Sequence, residues 1–236
     1  MSPNKILTFS FDDGVTQDLR LIELLNRYGL KGTFNLNSGR LGQESHFLCR
    51  GLPVRHMKFT AGAIPKVYAG HEIAVHTLDH INLTHLDDHE VIHQVRDDQQ
   101  ALESITGRQI TGMAYPESGV NHNDRVVQLI RENTSIRYAR TVTSSYSFDP
   151  PKDRLRFNPT VYHIEWERME ALAESFIALH TDNPKLFCIW GHAYEFDLDN
   201  SWDRFERLCA RLAGRSDMLY MTNQEAFDHL DTLSYV

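Results

Sequence analysis

The feature that most constrains this chain is the string TFSFDDG at Thr8–Gly14, in which two adjacent carboxylates end an apolar, β-prone run. In alternating α/β folds, the carboxyl ends of the strands form the edge at which ligands bind. Asp12 and Asp13 are therefore expected at such an edge, and alternation along the strand sends their side chains in different directions. The sequence thus predicts a strand followed at once by a chemically active site.

Two later segments also place histidines directly after strand-like runs. The motif HTLDH at His76–His80 follows the strand-like run EIAV, and the run LFCIWG leads to His192. The i, i+4 spacing of His76 and His80 places both imidazoles on one face of a helical turn, where they can share a metal ion. One aspartate and two histidines leave coordination positions open for water, as in catalytic metal sites. We therefore predict that three strand ends meet at one metal site.

Strand-like and helical segments alternate along the whole chain. This alternation favours an α/β fold with a largely parallel sheet covered by helices. Strands are predicted at Lys5–Phe11, Gly32–Leu36, Glu72–Val75, Gly112–Tyr115, Tyr138–Val142, Leu186–His192 and Leu219–Met221. Helices are predicted at Thr16–Tyr28, Ile64–Ala69, Asp87–Thr106, Asn123–Asn133, Glu165–His180, Ser201–Ala213 and Asn223–Leu230. Residues 37–62, 148–159 and 195–200 are expected to be irregular.

Composition agrees with one globular domain spanning residues 1–236. The chain has 41% hydrophobic residues, which is enough for a sizeable core, and it contains no connector rich in Pro, Gly or Ser. The net charge of −8 argues against a nucleic-acid or membrane partner. The three cysteines are widely spaced, so they suggest neither a disulfide framework nor a zinc–thiolate site. No signal peptide or membrane-spanning stretch is recognisable, and a cytoplasmic location is expected.

The motifs TFSFDDG and HTLDH, the turn YPESG at Tyr115–Gly119 and the late strand that ends in His192 together resemble the polysaccharide deacetylase family, carbohydrate esterase family four. The resemblance extends from Thr8 to His192. It implies a distorted or incomplete (β/α) barrel. It also implies a metal-dependent hydrolase that removes N-acetyl groups from an amino sugar or polysaccharide.

The resemblance further implies roles for individual residues. Asp13, His76 and His80 would bind one divalent ion, with zinc as the first choice and cobalt, nickel and iron left open. Asp12 would be the general base and His192 the general acid. The turn formed by Tyr115, Pro116 and Glu117 would contact the substrate and supply an oxyanion donor near Glu117.

The chain also departs from the family's pattern. An arginine that usually pairs with the base is replaced by Ala114, and Arg140 or Arg156 could supply the missing charge. The tryptophan of the acetyl pocket has no clear match, and Phe148 is a weak candidate for its place.

These departures leave two alternative functions open. One is an amidase that acts on a small, non-sugar amide or ureide, which a small cavity capped by residues 39–62 would favour. The other is a non-catalytic carbohydrate-binding protein that retains the metal. The presence of Asp12 argues against this alternative. The sequence leaves the oligomeric state undetermined.

Overall fold

The fold was established from a computed structural model, which describes residues 4–233. The strands are β1 (Lys5–Asp12), β2 (Thr33–Leu36), β3 (Glu44–Cys49), β4 (Leu52–Met57), β5 (Glu72–Val75), β6 (Gly112–Ala114), β7 (Tyr138–Arg140), β8 (Val161–Tyr162), β9 (Lys185–Gly191) and β10 (Met218–Tyr220). The α-helices are α1 (Asp18–Arg27), α2 (Ile64–Val67), α3 (Asp88–Thr106), α4 (Asp124–Asn133), α5 (Trp166–Ala178), α6 (Tyr194–Leu198), α7 (Trp202–Leu212) and α8 (Asn223–Leu233).

Eight of these strands form one curled parallel sheet. Its order is β7-β6-β5-β2-β1-β9-β8. β10 pairs with the first half of β1, while β2 pairs with its second half. The segment around Phe157 bridges to Arg140 of β7 and continues into β8, so the sheet curls into an incomplete barrel. The predicted α/β fold with a distorted (β/α) barrel is therefore confirmed.

The core lies inside this sheet and between the sheet and its helices. β1 is buried along its whole length, as expected for a central parallel strand covered on both faces. The helices bury one apolar stripe each. In α1, for example, Leu21, Ile22, Leu24 and Leu25 face the sheet. No helix among residues 4–233 combines the length and the apolar character needed to cross a bilayer.

Two segments that were expected to be irregular are ordered. Residues 37–62 contain an antiparallel hairpin of β3 and β4, which stands apart from the barrel sheet. The acidic segment 195–200, expected to be a loop, begins inside the short helix α6. β3 exposes nearly all of its side chains and therefore shows no hydrophobic alternation. Both corrections matter for function, because the hairpin and α6 contribute residues to the candidate site.

Candidate metal centre and active site

The carboxyl ends of the barrel strands bring the predicted site residues to one edge of the sheet. Asp12 is the last residue of β1, Asp13 follows it, His76 follows β5 and His192 follows β9. Parallel pairing of these strands places their carboxyl ends side by side, which explains why residues far apart in sequence meet here.

Asp13, His76 and His80 form a cluster that could hold a metal ion. Each offers one ligand atom, and these atoms all lie within 4.8 Å of one another. His80 Nε2 is 3.6 Å from Asp13 Oδ1, and the two imidazole rings are 4.9 Å apart between centroids. Two imidazoles and one carboxylate are a donor set typical of catalytic metal sites with open positions. The residues therefore fit the group that the sequence motifs imply.

The turn that joins the two histidines is not helical, so the predicted helical geometry is wrong. Thr77 and His80 both have positive φ, at 65° and 55°. Distant side chains hold this shape: Asn37 Nδ2 donates to the carbonyl of Thr77 at 3.0 Å, and Asp98 accepts from the N–H of His76 at 3.1 Å. The i, i+4 spacing thus brings the rings together through a strained turn that tertiary contacts stabilise.

The environment of His76 keeps its imidazole neutral. Its Nδ1 lies 2.8 Å from the carbonyl oxygen of Ala114, which can only accept, so Nδ1 carries the proton and Nε2 is left with a lone pair. Burial lowers the pKa of His76 to about 4, despite the nearby Asp12. The ring is therefore uncharged at neutral pH, as metal ligation requires.

Two residues that the sequence analysis missed surround the carboxylate of Asp13. His56 Nε2 lies 3.1 Å from Asp13 Oδ2, and Lys58 Nζ lies 3.6 Å from Oδ1. Lys58 also donates to the carbonyl of Asp13 and to Asn37 Oδ1. Burial alone would raise the pKa of Asp13, but Lys58 and the hydrogen bond from His56 outweigh it and hold the pKa well below its usual value. Asp13 is therefore ionised.

Arg140 is the arginine that pairs with Asp12. Ala114 and Arg140 are register partners on β6 and β7, so the guanidinium enters from the neighbouring strand. It donates to both carboxylate oxygens of Asp12, and Asn35 Nδ2 donates to Oδ1 at 2.8 Å. Of the two arginines named from the sequence, the other, Arg156, pairs with carboxylates away from this site.

The charge state of Asp12 follows from these contacts. Burial would raise its pKa, but the Arg140 guanidinium, with His76 and His192, lowers the pKa below its usual value. Asp12 Oδ2 lies 4.0 Å from His76 Nε2 and 4.0 Å from His192 Nε2. An ionised carboxylate thus stands between a candidate metal ligand and the candidate acid.

His192 is held by a buried carboxylate of α6. Its Nδ1 lies 3.2 Å from Glu195 Oε2, and Glu195 also accepts from the Tyr162 hydroxyl at 2.5 Å and lies 2.9 Å from His163 Nε2. Burial would lower the pKa of His192, but Glu195, with Asp13 and Asp12, raises it to about 9. The acidity of the segment after His192 was visible in the sequence, whereas its contact with the ring was not.

The YPESG turn follows β6, whose last residue, Ala114, contacts His76 through its carbonyl, and the turn is only partly available for binding. The Tyr115 N–H donates to the Arg140 carbonyl at 2.9 Å, and its hydroxyl donates to the Leu155 carbonyl at 2.9 Å. Pro116 has no N–H. Glu117 has a φ of 61°, and Asn121 Nδ2 donates to its carbonyl at 2.8 Å, which fixes the turn. Of the three turn residues, Glu117 alone keeps a backbone donor for an oxyanion.

A cavity of about 360 Å³ opens over the candidate metal ligands. The hairpin of β3 and β4 and its flanking residues supply one wall, and α6 supplies Tyr194. The lining residues are Asp13, Arg40, Gln43, Ser45, Phe47, His56, Lys58, Asp79, His80, His192 and Tyr194. The predicted substrate residues Tyr115, Pro116 and Glu117 are not among them. Phe148 does not line the cavity either, because its ring packs against Phe176 and Phe187, and the weak assignment of Phe148 to the pocket is wrong.

The polysaccharide deacetylase family model matches residues 2–135, which is more than half of the chain, and the chain belongs to this family. Family membership supports a hydrolase that acts on acyl C–N bonds. Among curated protein sequences, none matches the chain.

Solved structures show the same fold at low sequence identity. A family 4 carbohydrate esterase from Streptomyces lividans is 17% identical with a TM-score of 0.57, and the match covers 92% of each chain. The peptidoglycan deacetylase PdaC from Bacillus subtilis is 18% identical with a TM-score of 0.57, over 98% of this chain and 94% of that one. A family 4 pseudoenzyme from Bacillus anthracis is 17% identical with a TM-score of 0.57, over 96% and 66%. A shared fold therefore does not show whether a protein is an active enzyme or has lost its activity.

Proposed function

We propose that this protein is a metal-dependent hydrolase that removes an N-acetyl group from an amino sugar or a polysaccharide. One observation carries the proposal. The ligand atoms of Asp13, His76 and His80 lie within 4.8 Å of one another, while the adjacent Asp12 stays outside that set and is paired with Arg140. A metal-retaining binder has no need of a buried ionised carboxylate 4.0 Å from His76, one of the candidate ligands.

Asp13, His76 and His80 would hold one divalent cation, with zinc as the first choice and cobalt, nickel or iron as alternatives. When bound, such an ion polarises the amide carbonyl and makes water a stronger nucleophile near neutral pH. The neutral state of His76 and the ionised state of Asp13 are the protonation states that this ligation needs.

Asp12 and His192 would move the protons of the reaction. Asp12 accepts a proton from the attacking water, and Arg140 and Asn35 keep its carboxylate fixed toward the site. His192 donates a proton from Nε2 to the departing amine nitrogen, while Glu195 holds its Nδ1. The amide C–N bond breaks, and the products are acetate and a free amine. The Glu117 N–H is the proposed donor to the oxyanion that develops on the carbonyl.

The size of the cavity supports a proposal for the substrate class. A volume of about 360 Å³ accommodates roughly one sugar unit, and the hairpin forms one wall of this space. We therefore infer a single N-acetylated sugar, or the end of an oligomer, as the group that enters. The same volume also suits the second candidate function, an amidase acting on a small non-sugar amide or ureide.

The test is acetate release from a panel of N-acetylated sugars, oligomers and small amides. Metal-stripped protein is reloaded with zinc or cobalt and compared with Asp12→Asn and with a control, Asp182→Asn, at an exposed position far from the site. We expect metal-dependent release that Asp12→Asn reduces by 10²–10⁴-fold and that the control leaves unchanged.

Other outcomes identify the alternatives. Turnover of small amides alone would support the amidase. Ligand binding that Asp12→Asn leaves intact, without turnover of any substrate, would identify a non-catalytic binder of the kind represented by the Bacillus anthracis pseudoenzyme.

A further inference from the structure

The hairpin of β3 and β4 is anchored directly beside Asp13. The Thr16 N–H donates to the Met57 carbonyl at 2.8 Å, and the Phe59 N–H donates to the Gly14 carbonyl at 3.3 Å. At its far end, Arg50 forms an ion pair with Asp199 at 2.9 Å, just beyond α6. The hairpin is therefore fixed to the barrel on both sides of the cavity.

The ring of His56 is the part of this hairpin that reaches the candidate metal ligands. His56 is 8% exposed, and its ring packs edge-on against Phe47 and Tyr194, with centroids 5.5 and 5.6 Å away. This packing restricts the imidazole to one orientation. In that orientation, Nε2 lies 3.1 Å from Asp13 Oδ2.

The two oxygens of Asp13 have different partners. Oδ1 is 3.6 Å from His80 Nε2 and 3.6 Å from Lys58 Nζ, whereas Oδ2 is the oxygen that contacts His56. Among the described residues, the set of ligand atoms within 4.8 Å of one another contains Asp13, His76 and His80 but not His56. His56 thus lies next to a ligand without being one.

We propose that His56 is a positioning residue of the metal centre, and that its hydrogen bond to Asp13 Oδ2 lets the β3–β4 hairpin raise the affinity of the site for a divalent cation. The bond fixes the Asp13 carboxylate so that Oδ1 is presented toward His80. Partners that orient ligands in this way typically change metal affinity by about 10–100-fold. This inference rests on the metal site of the proposed function.

The test compares two substitutions at His56 that differ in hydrogen bonding. His56→Leu keeps apolar packing but removes the donor, whereas His56→Gln keeps an N–H donor. The matched control is His46→Leu on β3, because the His46 side chain is 69% exposed on the same hairpin. The dissociation constants of zinc and cobalt are measured on metal-stripped full-length protein by competition with a chromophoric chelator. Hydrogen exchange of residues 44–57 shows whether the hairpin remains in place.

We expect His56→Leu to raise the dissociation constant by about 10–100-fold, His56→Gln to raise it less, and His46→Leu to leave it unchanged. A value for His56→Leu within twofold of the wild type would overturn the inference, as would equal losses for Leu and Gln. Should His56→Leu not fold, His56→Met takes its place, since it also lacks a donor. Metal binding by the wild type without acetate release would reject the proposed function while leaving this inference standing.

Discussion

Replacing Arg140 with methionine leaves Asp12 as a buried carboxylate without its guanidinium partner. Both side chains are inaccessible, at 0% and 2% exposure. The substitution removes the contacts to Asp12 and the hydrogen bonds to Ser10 Oγ at 3.0 Å and to the Thr141 carbonyl at 2.9 Å. It also removes the guanidinium that lies 4.6 Å from the ring centroid of Trp190. Methionine retains apolar packing, so the lost charge dominates the effect.

The expected cost is large for a domain of this size. Breaking a buried ion pair by removing one partner costs about 3–5 kcal/mol, because the other charge stays buried without compensation. Since total stabilities of domains are about 5–15 kcal/mol, this is a substantial fraction. At about 2–4 °C per kcal/mol for a chain of this length, the melting temperature should fall by roughly 6–20 °C.

The loss of folding stability in Arg140→Met should depend on pH in a predictable direction. In the wild type, the pKa of Asp12 is lowered below its usual 3.8 because Arg140 and the two histidines outweigh burial. Ionised Asp12 therefore contributes stability above pH 3.8 that is lost as pH falls through its folded pKa. Without Arg140, burial raises the pKa of Asp12 relative to the wild type. The deficit in stability should then be largest at neutral pH and shrink as acid protonates the carboxyl.

The assay is urea denaturation at pH 8 and pH 5, together with the pH profile of kcat/KM. Arg156→Met is the matched control, because Arg156 is 34% exposed and its ion pairs are worth at most about 1 kcal/mol. The double variant Arg140→Met/Asp12→Asn should recover part of the loss, since it buries no charge. A deficit below about 1 kcal/mol at pH 8, or a deficit that grows as the pH falls, would refute this account of Arg140.

Two further outcomes are expected near His192. The pKa of His192 is raised from 6.5 to about 9, largely through Glu195. The ion pair of His192 with Glu195 therefore stabilises the fold below pH 6.5, and this stabilisation is lost as the pH rises through 9. The stability difference between wild type and Glu195→Gln, measured by urea denaturation of metal-free protein, should therefore shrink from pH 6.5 to 9, and a constant difference would contradict this. Gly191→Ala should destabilise by about 1–3 kcal/mol, because the added Cβ would lie 1.8 Å from His163 Cδ2. An unchanged melting temperature would show that His163 can move away at little cost.

Most barrel elements could be predicted from the sequence because their signals are local. The helices and strands of the barrel follow the spacing of apolar residues, and their observed bounds differ from the predicted ones by few residues. The two-residue strand β8 was missed, since so short a run carries no periodicity. The hairpin was missed because β3 is exposed and β4 contains Pro53, a residue depleted in strands.

The sequence by itself determined which residues end the barrel strands. Asp12, Asp13, His76 and His192 are each adjacent to a recognisable strand, and a parallel sheet collects such ends at one edge. Their proximity therefore followed from connectivity alone.

Only the tertiary structure decided what surrounds those residues. Arg140 pairs with Asp12 because β7 lies beside β6 in register, and His56 contacts Asp13 because the hairpin folds back over the site. Glu195 reaches His192 because α6 forms where the polar sequence suggested a loop. Some of these contacts join side chains that are distant in sequence, and others depend on an unexpected local structure. The spacing of apolar residues in the sequence predicts neither kind of contact. The charge states of the proposed base and the proposed acid depend on such contacts, so packing rather than motif sets these charge states.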